Sequence, residues 1–163
     1  LAACEPYCTQ VITEELNGAA LQVLWQLRMQ QARVSPDAQR VSGKHYFCSL
    51  KEVSKVLPRA QALLVAPDVR RSATANVRPV RLLTALLEEA ERLGIPVVFC
   101  LSRRGIGQVF GRDKSMSVVA VMHTDVCVEV FQSLLRHAAF GRRQFRELGL
   151  ARRQSQARPP PRG

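Results

Sequence analysis

The segment Ser49-Leu50-Lys51-Glu52-Val53-Ser54-Lys55 is the densest run of usable chemistry in the chain. On a helix begun by Ser49, Lys51 and Lys55 lie four apart and leave from one face, with Glu52 beside them. Cations so arranged suit phosphate oxygens. A carboxylate among them is costly beside phosphates unless it meets hydrogen-bond donors. The competing role for Glu52 is structural: it stands three residues after Ser49, the spacing of a capping box in which it returns a bond to its own helix. More cations follow downstream, Arg103 and Arg104 and then Arg112 and Lys114.

Other chemistries find little support. His45, His123 and His137 stand in no metal-ligand spacing, and His45 beside Tyr46 is expected at a strand edge. Arg104-Gly105-Ile106-Gly107 lacks the third glycine of a dinucleotide fingerprint and the acidic residue expected about 20 positions on, so it reads as a tight strand-to-helix junction. Glu88, Glu89 and Glu91 read as a solvated helix face. The five cysteines are odd in number and form no Cys-x-x-Cys, which argues against a disulfide framework and a zinc site and for reduced thiols in an intracellular compartment. No catalytic residue, metal ligand or cofactor is expected.

The charge balance points the same way as the lysine–glutamate segment. The 163 residues carry a formal net charge of +11, and residues 101–163 hold twelve basic side chains against four acidic. Twenty of the 24 basic residues are arginine, whose planar fork fits phosphate and guanine edges. A hydrophobic content of 47% excludes global disorder, and no apolar run is long enough to span a membrane. The start at Leu1 instead of Met points to a piece of a longer chain.

Several elements must position these residues. A helix is expected over 9–32 with Thr9 as its cap, then a polar loop over 34–43. His45–Cys48 reads as a short strand and Ser49 as the cap of a brief helix stopped by Pro58. The unbroken apolar runs 62–66 and 95–101, with 117–122, suit strands covered on both faces. Between them lie the loop 67–76, an amphipathic helix over 78–93 ended by Gly94, whose stripe includes Leu82, and a short helix over 102–111. A last helix is expected from Asp125 to Leu148, followed by a disordered Arg/Gln/Pro tail. The alternation predicts an α/β fold, a three-layer α-β-α sandwich with a central mixed sheet of about four strands. The domain plan is a lead-in over 1–8, one domain over 9–148 and a tail over 149–163.

The Ser49–Lys55 segment, the apolar runs 62–66 and 95–99, and Gly107 together resemble the kink-turn RNA-binding ribosomal-protein family, the L-seven-Ae/Gadd-forty-five group. Within it, the opening Pro6-Tyr7-Cys8-Thr9-Gln10-Val11, the Leu-Lys-Glu-Val form of the helix motif and Met116-Ser117-Val118-Val119 resemble the SECIS-binding branch, over about residues 5–148.

The resemblance implies a non-catalytic protein that binds kinked RNA stems with tandem sheared G·A pairs. By the resemblance, Lys51 stands where the family has Asn or Arg reaching a guanine edge, Glu52 accepts from guanine amino groups, and Lys55 contacts RNA. Ser49 and Leu50 begin that motif, Arg103 and Arg104 follow the third strand, and Arg112 through Ser117, with Lys114, pack against the kink and a flipped-out nucleotide. Met116 would be an apolar platform under an unstacked base. Two departures stand out: Ser49 replaces a family glycine, and Arg70 stands where many members have a Glu. The implied partners are SECIS-containing messenger RNA, the selenocysteine-specific elongation factor and the ribosome, with no membrane, in the cytoplasm with access to the nucleus. Competing readings are a ribosomal or small-nucleolar kink-turn protein and the RNA-docking domain of a ribose methyltransferase. Arg142, Arg143, Arg146, Arg152, Arg153, Arg158 and Arg162 would add sequence-blind attraction.

Overall fold

In the computed structural model, which describes residues 4–70, 78–111 and 113–157, two apolar faces of one small sheet organise everything else. The elements follow as α1 (Glu14–Arg33), α2 (Pro36–Ser42), β1 (Tyr46–Phe47), α3 (Leu50–Val56), a 3₁₀ turn (Leu57–Arg59), β2 (Ala62–Val65), α4 (Arg78–Leu93), β3 (Val97–Phe99), α5 (Arg103–Val109), β4 (Val118–Val121) and α6 (Val128–Ala157). The strand order is β1-β4-β2-β3, with β4 antiparallel to both β1 and β2, and β2 parallel to β3.

Strand side chains alternate between faces. Ala62, Leu64, Val98, Val119 and Val121 join the core under α1, α5 and α6. Leu63, Val65, Phe99, Val118 and Ala120 join the core under α3 and α4. Each buried leucine contributes on the order of 2 kcal/mol, which explains why β2 and β4 are apolar on both sides. The result is the expected three-layer α-β-α sandwich with a mixed four-stranded sheet.

Several expectations are corrected. Helix α1 begins at Glu14, capped by Thr13, whose Oγ1 accepts from the Leu16 N–H at 3.1 Å. Thr9 is no cap, because the neighbouring Gln10 amide is committed elsewhere: it donates to the Phe99 carbonyl and accepts from the Phe99 N–H, both at 2.9 Å. Residues 9–13 are thereby held off the helix, and Tyr7 and Cys8 of the expected lead-in pack against the core under α4. The expected polar loop over 34–43 contains α2, which Ser35 caps and Pro36 opens. His45 is buried, and its N–H donates to the Gln31 Oε1 at 2.8 Å.

Helix α4 matches its expected span, and Gly94 closes it at a φ of 71°, where a side chain would be strained. Leu82 nevertheless lies 47% exposed, off the buried stripe of Leu83, Leu86 and Ala90. The loop expected over 67–76 lies partly outside the described residues. Helix α6 starts at Val128 and runs to Ala157, so residues 149–157 of the expected disordered tail are helical; the remainder, with Arg158 and Arg162, lies outside the described residues.

Candidate nucleic-acid interface

The register places four loops on one edge of the sheet. Phe47 pairs with Ala120, and Val65 with both Val118 and Phe99, so the ends of β1, β2 and β3 and the start of β4 share that edge. From it leave Cys48–Ser49 into α3, Ala66–Arg70 after β2, Leu101–Ser102 into α5, and Lys114–Ser117 into β4. The strand order sets these loops side by side, α3 next to the β4 loop, then the β2 loop, then α5. The expected site residues lie far apart in sequence but converge on this edge.

Ser49, Leu50, Glu52, Lys114, Met116 and Ser117 line one groove of about 330 Å³. Leu50 and Lys51 also line a neighbouring cleft of about 510 Å³, and Arg104 and Lys114 a smaller one of about 150 Å³. Lys55 is exposed one turn further along α3. Lys51, Lys55, Arg104 and Lys114 hold no ion pair among the described residues. Arg70 differs, since its Nε lies 3.5 Å from the Glu5 carboxylate. Arg103 is half-buried, and its Nε is buried without a hydrogen-bond partner among the described residues. Arg112 lies outside the described residues.

Local chemistry explains the placements. Ser49 caps α3 through a 3.1 Å bond from the Glu52 N–H to its Oγ, and its φ of −93° suits any residue, so this backbone does not demand the family glycine. The Glu52 carboxylate is exposed and takes no partner among the described residues, so the capping box is half-formed. Ser102 caps α5 with a 2.9 Å bond from the Gly105 N–H. Before it, Leu101 holds a φ of 58°, uncommon for a residue with a side chain, while its N–H donates to the Asn17 Oδ1 at 2.8 Å.

Met116 is a correction. It is 7% exposed and belongs to the core under α1, so it closes the groove floor and is not an open stacking platform. Its N–H donates to the Arg103 carbonyl at 2.9 Å, drawing the loop down onto α5. Gly107 permits the approach, because a Cβ there would collide with the Lys114 carbonyl oxygen. Leu50, half-buried at the same groove, is the apolar side chain left facing it.

Four residues of the edge carry no signal in local sequence pattern: Tyr7, Gln10, Asn17 and Asp68. Each acts by a side-chain bond to backbone 35 to 89 positions away. Tyr7 and Gln10 could have been singled out only as part of the Pro6–Val11 signature.

Elsewhere, Glu88 and Glu91 are exposed and Glu89 pairs with Arg92, whose hydrogen bond lowers the Glu89 pKa. Burial pushes the Cys8 and Cys100 thiols up to about 12, unsuited to nucleophilic or ligand roles near neutrality. Among the described residues no three His, Cys, Asp or Glu side chains gather as a metal site, and no helix is long and apolar enough to cross a membrane.

This architecture is shared with an RNA-binding protein of known structure. The 15.5kD RNA binding protein of Giardia lamblia superposes with a TM-score of 0.63 at 17% identity, covering 83% of this chain and 97% of that one. In sequence, the chain is 23% identical over 158 residues, 94% of its length, to selenocysteine insertion sequence-binding protein 2 of Rattus norvegicus. It is also 23% identical over 155 residues, 93% of its length, to the human selenocysteine insertion sequence-binding protein 2-like. The chain spans 19% of the former protein and 14% of the latter. No family model matches it.

Proposed function

We propose that the chain is a non-catalytic RNA-binding domain that recognises the kinked G·A core of a SECIS stem in selenoprotein messenger RNA. The observation that carries this reading is the sheet edge, where a Glu52 carboxylate without a partner among the described residues lies among unpaired cations at a groove of about 330 Å³. Guanine amino groups would donate to Glu52, while Lys51, Lys55, Arg104 and Lys114 offset phosphate charge. Leu50 takes the apolar contact with an unstacked base. Similarity along nearly the whole chain to proteins named for SECIS binding supports the RNA class. Recruitment of the selenocysteine-specific elongation factor and the ribosome, in the cytoplasm, completes the proposal.

The test is a gel shift with three RNAs: a SECIS stem, the same stem with its G·A pairs changed to Watson–Crick pairs, and a ribosomal kink-turn. Preference for the first over the second is expected. Equal binding to those two removes the recognition claim, and a preference for the ribosomal RNA favours a ribosomal kink-turn protein.

A further inference from the structure

Residues 5–10 precede the first helix and cross the ends of β2 and β3 as a strap. The Tyr7 hydroxyl donates to the Ala66 carbonyl at 2.6 Å and accepts from the Val69 N–H at 2.8 Å. Alongside it, the Glu5 N–H donates to the Pro67 carbonyl at 2.8 Å, and Gln10 closes both backbone groups of Phe99. The Tyr7 ring lies 5.9 Å from the Phe99 ring.

The turn that Tyr7 closes anchors the other loops. Asp68 Oδ1 accepts from the Arg103 N–H at 2.9 Å, fixing the start of α5. The Ala66 N–H donates to the Ser117 carbonyl at 2.9 Å, and the Arg103 carbonyl accepts from the Met116 N–H at the same distance. One hydroxyl therefore ties together the loops bearing Arg70, Arg103 and Lys114–Ser117. Burial raises the Tyr7 pKa, so the phenol stays protonated and able to donate.

We propose that Tyr7 is a positioning residue for RNA recognition, setting the spacing of three loops from behind the edge that reads the stem. The inference rests on the RNA reading of that edge. Recognition of a rigid, kinked backbone rewards loops already held at the right separation, because ordering them on binding costs affinity. Loosening the turn at Ala66–Val69 costs most on the stem that needs all three loops at once and least on a featureless duplex. The strap thus contributes specificity although Cys8 and Gln10 are buried and the Tyr7 hydroxyl is spent on backbone.

The test uses Tyr7→Phe, which keeps the ring on Phe99 and removes the hydroxyl, with Asp68→Ala and Asp68→Asn as companions. Affinities for the SECIS stem and its Watson–Crick counterpart are measured at fixed salt, with amide exchange at Val69, Arg103 and Met116 in the free protein. Tyr7→Phe and Asp68→Ala are each expected to reduce the stem preference at least threefold and to speed exchange at all three amides. Asp68→Asn, which keeps an acceptor oxygen, retains the preference. The double variant Tyr7→Phe/Asp68→Ala loses no more than the worse single one, because both act on one turn. Faster exchange only at Val69, or an unchanged stem preference with a lowered Tm, overturns the proposal and leaves Tyr7 a packing residue. A wild-type protein without stem preference removes the RNA reading itself, and the exchange data then still show whether the three loops move together.

Discussion

The backbone N–H of Glu52 donates to the Ser49 hydroxyl at 3.1 Å, but the Glu52 carboxylate does not return the bond, so one residue is split between two roles. Its main chain completes a helix cap and its side chain is left for a ligand. The two roles can therefore be removed separately.

Glu52→Gln leaves the cap in place and replaces a pure acceptor with an amide that can also donate. The stem preference should fall roughly fivefold to 150-fold, the range for about 1–3 kcal/mol per well-made base contact, with Tm nearly unchanged. Ser49→Ala should do the reverse, lowering stability by about 1 kcal/mol through the lost cap. Thermal melting and gel shifts on both variants check the separation. A Glu52→Gln protein that melts early but keeps its preference would show the carboxylate to be structural.

Gly107→Ala forces a Cβ into the Lys114 carbonyl oxygen, and backbone cannot swing aside as a side-chain tip can. A loss of about 1–3 kcal/mol is expected from such overpacking, measured by urea unfolding. The loop carrying Lys114 and Met116 also lifts off α5, so RNA affinity should fall more than in a surface variant of equal stability loss.

How much of this was legible in the sequence depends on the range of the interactions. Helix α4 was readable because Leu83, Leu86, Ala90 and Gly94 encode a face and a stop within one segment. Strands β2 and β4 were readable because both their faces are buried and no polar residue interrupts them. The start of α1 was not, since the bond that withdraws Gln10 from the helix reaches Phe99, 89 positions away. Helix α2 was misread because Pro36-Asp37 resembles a turn, although Ser35 before Pro36 is also a helix opening. Of the site, the charged residues were visible by type and spacing. Their convergence follows from the β1-β4-β2-β3 order, and Met116 was misjudged because a lone methionine does not reveal which way its loop is pulled.

Arg152 is exposed on the last turns of α6, beyond the point where Gly141 meets Val11. Acting through phosphate charge alone, Arg152→Ala should weaken binding to all stems alike and reduce the slope of log affinity against log salt by about one unit. Titrations across a salt series with both the SECIS stem and its Watson–Crick counterpart measure this. A changed preference between the stems would place Arg152 in the reading edge.

Buried thiols should contribute the first part of the alkaline loss of stability, below the range in which an unfolded tyrosine titrates at about 10. Burial raises Cys8 and Cys100 to about 12 and also raises Cys127, whereas an unfolded thiol titrates at about 8.5. Between those values the native state keeps protons that the unfolded state has released. Folding stability is therefore full below about pH 8.5 and falls as pH rises toward 12, by at most about 1.4 kcal/mol per pH unit for each such thiol. Urea midpoints from pH 7 to 10.5 should be level at first and then decline. Cys100 is wholly buried, so Cys100→Ala should flatten the decline while lowering stability at pH 7 through lost packing. A Cys100→Ala profile parallel to the wild type across the whole range would mean that this thiol does not govern the alkaline limb.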